Sequence, residues 1–117
     1  MFFGKLFEGA AASSKSDRSK VLKISKKAVD QIRARGGDVV FVRAPSTGPY
    51  WEKEQVFYKR SQFWNPLLAA THTKGVYFTD YPTLSHFKCV EWSHLSQPDA
   101  VAFTTELIKL LPPSFVK

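Results

Sequence analysis

From Ser19 onward the apolar positions fall at helical spacing. Val21, Leu22, Ile24, Ala28, Val29 and Ile32 recur every three or four residues, and Gly36-Gly37 supplies a stop. The spacing predicts a helix over about 19–35. Ahead of it, residues 1–18 carry small residues and serines in GAAASSKSDRS with no sustained period, which reads as a flexible leader. The period then changes. DVVFVRAP is a continuous β-branched and aromatic run closed by Pro45, the pattern of a strand buried on both faces of a parallel sheet. STGPYWEKEQ is rich in turn formers and reads as a loop. Phe57 to His72 returns to helical spacing through Phe63, Trp64, Leu67, Leu68 and Ala70, with Pro66 either in a first turn or breaking the segment. GVYFTDYP, bounded by Gly75 and Pro82, reads as a second strand, and a last helix is expected from about Gln97 to Leu111.

The order helix, strand, helix, strand, loop, helix implies parallel βαβ connections and an α/β fold, with residues 19–117 as a single domain. Two parallel strands covered by three helices leave both sheet edges open. The segment therefore reads as half of a doubly wound domain, expecting either an N-terminal half-domain as partner or self-association. No internal repeat is present.

Composition narrows the class. Hydrophobic residues make up 44% of the 117 and include ten Phe and three Trp, too apolar for a disordered chain. The net charge of +7 is uneven: residues 1–38 hold nine Lys/Arg against four Asp/Glu, residues 39–117 eight against six. The excess lies in KSDRSKVLKISKKAVDQIRAR, which either attracts an anionic partner or is a solvated helix face. No aromatics interleave with these charges, so no clear nucleic-acid site is read there. Cys89 is the only cysteine, which excludes an intrachain disulfide and a Cys-rich zinc site. Lys5 and Glu8 interrupt the apolar start before a signal-peptide core forms, and no run approaches a membrane span. If complete, the chain reads as cytoplasmic.

The candidate chemistry gathers before the last helix. Ser96 is placed as its N-cap, Asp99 three residues on completes a capping-box pattern, and Pro98 suits the first turn. Ala100, Phe103, Leu107 and Leu110 line one face for docking. The loop just before contains Glu91 and His94. In an open α/β sheet, ligands bind beyond the carboxyl ends of the strands, where this loop and the one after DVVFVRAP are both expected. A histidine there, with a carboxylate three residues earlier, suits general-base chemistry.

DVVFVRAP, the Asp80-Tyr81-Pro82 strand end and above all EWSHLSQPDAVAFT resemble the C-terminal half of SGNH (GDSL-type) hydrolases, over roughly residues 19–112. The resemblance implies a partial flavodoxin-like, three-layer segment, with a short parallel sheet flanked by helices. It implies an ester hydrolase or acyl-transfer site with His94 as catalytic base. Glu91 stands where the family's block has Asp, and Asp80 is the rival acid. The family's Gly-Asp-Ser nucleophile block, its oxyanion-hole Gly and its Gly-x-Asn-Asp block have no match here. The chain is therefore expected to be inactive alone, with an ester as substrate once restored.

Other readings stay beside this one. Ser46 in APSTGP is either a substitute nucleophile or substrate-contacting hydroxyl, or an ordinary turn serine; Arg43 either meets an anionic substrate group or caps its strand end. His86, Cys89, Glu91 and His94 are ligand types zinc accepts, but their spacing fits no established pattern and no metal or cofactor is expected. The alternative from another class is a non-catalytic α/β interaction module whose basic helix, with Lys23, Lys26 and Lys27, contacts anionic partners.

Overall fold

The computed structural model describes residues 15–115. The chain is mixed α/β, with a short two-stranded parallel sheet. In chain order the elements are helix α1 (Lys15–Ala34), strand β1 (Val40–Arg43), helix α2 (Gly48–Phe57), helix α3 (Trp64–Thr71), strand β2 (Lys74–Tyr77), a 3-10 turn (Phe78–Asp80), the four-residue helix α4 (Pro82–Ser85), helix α5 (Gln97–Leu110) and a final 3-10 turn (Pro113–Phe115). They form two compact units. Among the described residues, one consists of those up to Val39 together with Glu52–Lys74; the other consists of Val40–Trp51 together with those from Gly75 onward.

In the first unit, α1 packs on α3 and buries Val29, which is 3% exposed. The helix begins at Lys15 rather than Ser19: Lys15, Asp17 and Arg18 tolerate helix well, and Asp17 sits where the helix dipole favours an acid. Of the leader expected over 1–18, residues 1–14 lie outside the described residues. The predicted stop is a Schellman cap. Gly36 turns left-handed at φ +85°, Gly37 N–H donates to Ile32 C=O (3.0 Å) and Gly36 N–H to Arg33 C=O (3.0 Å). Gly37 is needed for a different reason: a Cβ there would stand 2.8 Å from Ile32 Cγ2.

The helix expected over Phe57–His72 is shorter. Lys59-Arg60-Ser61-Gln62 offers no apolar stripe to pack, and the chain turns there instead, with Gln62 and Phe63 N–H both donating to Lys59 C=O. Helix α3 then starts at Trp64 and holds Pro66 in its first turn, where no intrahelical donor is missed. Its far end is closed by Arg33. The guanidinium donates from Nη1 to Thr71 C=O (2.7 Å) and from Nη2 to His72 C=O (2.8 Å), two carbonyls the helix leaves unpaired. Arg33 Nε also reaches Asp38 (3.2 Å), whose carboxylate accepts from Val39 N–H (2.8 Å). That amide and the guanidinium together hold the Asp38 carboxyl below its ordinary pKa. Thr71, 1% exposed, bonds Leu67 C=O (2.7 Å) and the Thr73 hydroxyl (2.8 Å).

The second unit buries Val76, Tyr77, Phe78, Leu84, Phe87, Cys89 and Phe103. β1 is not buried on both faces as its apolar run suggested: Val42 is 37% exposed, because a sheet of two strands leaves each strand an unpaired edge and little cover. The second strand stops at Tyr77, and Phe78–Asp80 tightens into a 3-10 turn that Tyr81 N–H closes on Phe78 C=O before Pro82 opens α4. Helix α5 matches its sequence signals. Ser96 Oγ accepts from Asp99 N–H (3.4 Å), Pro98 stands in the first turn, and Leu111 caps the last turn ahead of Pro112-Pro113. Phe103 meets Phe87 edge to face at 5.9 Å. Burying such a ring is worth about 2–3 kcal/mol, and the aromatic pair adds roughly 1 more, so this contact docks α5 and fixes the loop before it.

STGPYWEKEQ, expected as a loop, forms most of α2. Pro49 fits a first turn, and Gly48 takes a left-handed φ of +63° just where the chain enters the helix.

Candidate functional site

The second unit brings two loops together at the carboxyl end of β1. The first runs from Ala44 to Thr47 as β1 exits; the second is the turn from Cys89 to His94. Thr47 joins them: its N–H donates to Trp92 C=O (3.0 Å), while its hydroxyl accepts from Cys89 N–H (3.3 Å) and lies 3.5 Å from Cys89 C=O. The Cys89 thiol donates to Pro45 C=O (3.1 Å). Trp92 then lies across Gly48, where a Cβ would come within 2.8 Å of the indole Cδ1, and meets Tyr50 edge to face at 5.9 Å. Only glycine at position 48 permits both the left-handed backbone and this approach.

The 89–94 turn is tight. Val90 and His94 form an antiparallel bridge, with His94 N–H donating to Val90 C=O (3.4 Å) and Trp92 N–H to Cys89 C=O (3.3 Å). Two side-chain-bearing residues turn left-handed there, Glu91 at φ 51° and Trp92 at φ 67°. Each costs on the order of 1 kcal/mol, which the Thr47 bonds and the Gly48–Trp92 contact offset.

His94 and Glu91 occupy the same turn, and both side chains face solvent. His94 Nδ1 lies 3.4 Å from Ser93 Oγ, and among the described residues no ion pair joins Glu91 to the ring. Asp80 sits in the 3-10 turn just beyond β2 and is exposed. Arg43 and Ser46 do come together. Arg43 Nη2 donates to Ser46 Oγ (3.0 Å), Nη1 bonds Ala44 C=O, and the guanidinium lies 5.9 Å from the Trp51 ring centroid and 5.8 Å from that of Phe78. This is a cation held at the strand exit with a hydroxyl beside it, suited to an anionic group of a ligand.

Among the candidate metal ligands of HFKCVEWSH, His86 and Cys89 point to separate partners. His86 Nδ1 lies 3.1 Å from Pro82 C=O and its ring on Phe87 (4.1 Å between centroids), whereas Cys89 Sγ is bonded to Pro45. Among the described residues no group of three His, Cys, Asp or Glu is placed to hold a metal. Burial pushes the Cys89 thiol above its ordinary pKa, against the opposing pull of Arg43. The residue is thus held as a thiol, the poorer nucleophile.

Sequence reasoning missed Thr47, which fastens the site. It stood inside Ser-Thr-Gly-Pro and read only as a turn former, although a threonine ahead of a glycine, four residues past a strand end, is also well placed to bond a neighbouring loop. Among the described residues no helix is long and apolar enough to cross a membrane. Searches against family models, curated proteins and solved structures returned no match to this chain.

Proposed function

We propose that this chain carries the base-bearing part of an SGNH-like ester hydrolase with a flavodoxin-like parent fold, His94 acting as general base and the nucleophile coming from residues outside these 117. The observation that supports this reading most is the fastening of the His94 turn to the β1 exit loop through Thr47, beyond the carboxyl end of a parallel strand. Ligands of open α/β sheets bind at that edge. There His94 takes the proton of an incoming serine hydroxyl and returns it to the departing alkoxide, so that the acyl group passes to serine and then to water. A carboxylate on Nδ1 orients the ring and stabilises the imidazolium. Glu91 in the same turn and Asp80 at the β2 end are the two candidates, and either replaces Ser93 as the ring's partner in the assembled site. Arg43 and Ser46 receive an anionic or polar group of the substrate on the same side.

The test pairs this chain with a polypeptide bearing Gly-Asp-Ser and Gly-x-Asn-Asp blocks, encoded beside it, and follows hydrolysis of a p-nitrophenyl ester. The pair is expected to turn over, with His94→Ala lowering kcat at least about a thousandfold while binding persists. Of the two acids, the one that orients the ring loses more on amidation, Glu91→Gln against Asp80→Asn. Hydrolysis that survives His94→Ala intact refutes the assignment, as does an adjacent gene that encodes nothing of this kind.

A further inference from the structure

Helix α1 presents two adjoining outward stripes. Lys20, Lys23 and Lys27 recur at three- and four-residue spacing and are all exposed; beside them run Val21, Ile24 and Ala28, with Val21 59% and Ile24 70% exposed. The opposite side of the helix, around Val29, is the buried one. Lys26, on the margin, is engaged by Asp30 at 2.6 Å. Two unrelated chemistries are thus exposed side by side on twenty residues that carry seven Lys/Arg against two Asp.

We propose that this face of α1 docks on an anionic phospholipid surface, the helix lying in the interface plane with the aliphatic stripe toward the acyl boundary and the lysines on the headgroups. Charge complementarity selects the occupant. A second copy would bring like charge against like charge. A nucleic acid would match the lysines but leave Val21 and Ile24 without partners, and α1 has no aromatic residue on which bases could stack. An anionic leaflet satisfies both stripes: basic residues near it gain roughly 1 kcal/mol each, and shallow insertion removes aliphatic surface from water. The helix lies on such a surface and does not cross it, in keeping with the lack of a spanning helix among the described residues. The inference stands apart from the hydrolase reading and uses none of its residues.

Flotation of the full chain with liposomes tests it, since aggregated protein sinks while bound protein rises. Liposomes of phosphatidylcholine with phosphatidylserine are expected to carry the chain upward, and liposomes of phosphatidylcholine alone to leave it behind. Replacing Lys20, Lys23 and Lys27 together by Ala, which favours helix, is expected to weaken binding on the order of a hundredfold, or about 3 kcal/mol at about 1.4 kcal/mol per tenfold. Ile24→Ser is expected to weaken it several-fold at any salt concentration, whereas the lysine contribution fades as salt rises. Circular dichroism confirms that each variant retains its helix. Equal recovery on both liposome types overturns the proposal, as does binding indifferent to the lysine replacements. So does capture of duplex DNA, or self-association, by a chain that ignores the anionic liposomes.

Discussion

Arg33 is the side chain whose removal tests the packing argument most directly. Its guanidinium closes the end of α3 by donating to Thr71 C=O and His72 C=O, at 2.7 and 2.8 Å. A hydrogen bond from a charged donor contributes about 1.5–3 kcal/mol, but the two carbonyls are not equivalent when it is lost. Thr71 is 1% exposed, so its carbonyl stays poorly hydrated and most of that bond's value disappears; His72 is exposed, and its carbonyl regains water at little cost. The Asp38 contact lies at the surface, where solvent screens it, and adds little. Arg33→Ala is therefore expected to destabilise by about 2 kcal/mol, or roughly 8 °C in Tm at about 2.1 cal/mol/K per residue. Arg33→Lys, a point charge that reaches one carbonyl but not both, is expected to recover about half. Urea unfolding gives the free energies, and amide exchange at Thr71 to Lys74 shows whether the loss is local to the α3 end. A shift below about 0.5 kcal/mol for Arg33→Ala, or full rescue by lysine, would refute the claim that the two-pronged donor matters.

Other expectations follow from single features. Gly36→Ala places a Cβ on a residue at φ +85° and is expected to cost about 1 kcal/mol in thermal melts, whereas Gly36→Asn costs less. Gly48→Ala drives its methyl into the Trp92 indole, and the expected result is a shift in tryptophan emission with at least about 1 kcal/mol lost; an unchanged spectrum would mean that the indole does not lie over position 48. Asp38 has a folded pKa below its unfolded one, so its stabilising effect is present above about pH 4 and disappears as pH falls through the folded value. Asp38→Asn should flatten that part of an acid titration. Cys89 has the reverse sign: its raised pKa leaves stability unaffected below about pH 8.5 and lowers it above, a decline that Cys89→Ala should remove.

Where the sequence was legible, a short-range signal coincided with the final structure. Ser96, Pro98 and Asp99 act within one turn of α5, and Gly36-Gly37 ends α1 through bonds to residues three and five back, so both boundaries could be read without tertiary information. Gly48-Pro49 misled because the same pair that breaks a helix interior opens α2 when Pro49 takes the first turn. Both strands appeared close to their expected places, but β1 lacks the cover its run suggested, since an apolar run tells how much cover a strand could use, not how much it has. The acid and histidine of the candidate site were visible as Glu91 and His94, and their joint turn was not. Neither Glu91 nor Trp92 is a residue type that announces a left-handed backbone, and Thr47, 42 residues before Cys89, supplies the bonds that hold it.

The single thiol gives the loop pair a built-in clock. Cys89 is buried and bonded to Pro45 at the seam between the two loops, and no second cysteine competes with it for a reagent. A disulfide-exchange dye can therefore modify the folded chain only during moments when the seam parts. Its rate, compared with that of the unfolded chain, counts how often this corner opens. A Thr47→Val chain, deprived of the hydroxyl at the seam, would be labelled sooner, and the ratio of the two rates would give the strength of the fastening at one place without melting the rest of the molecule.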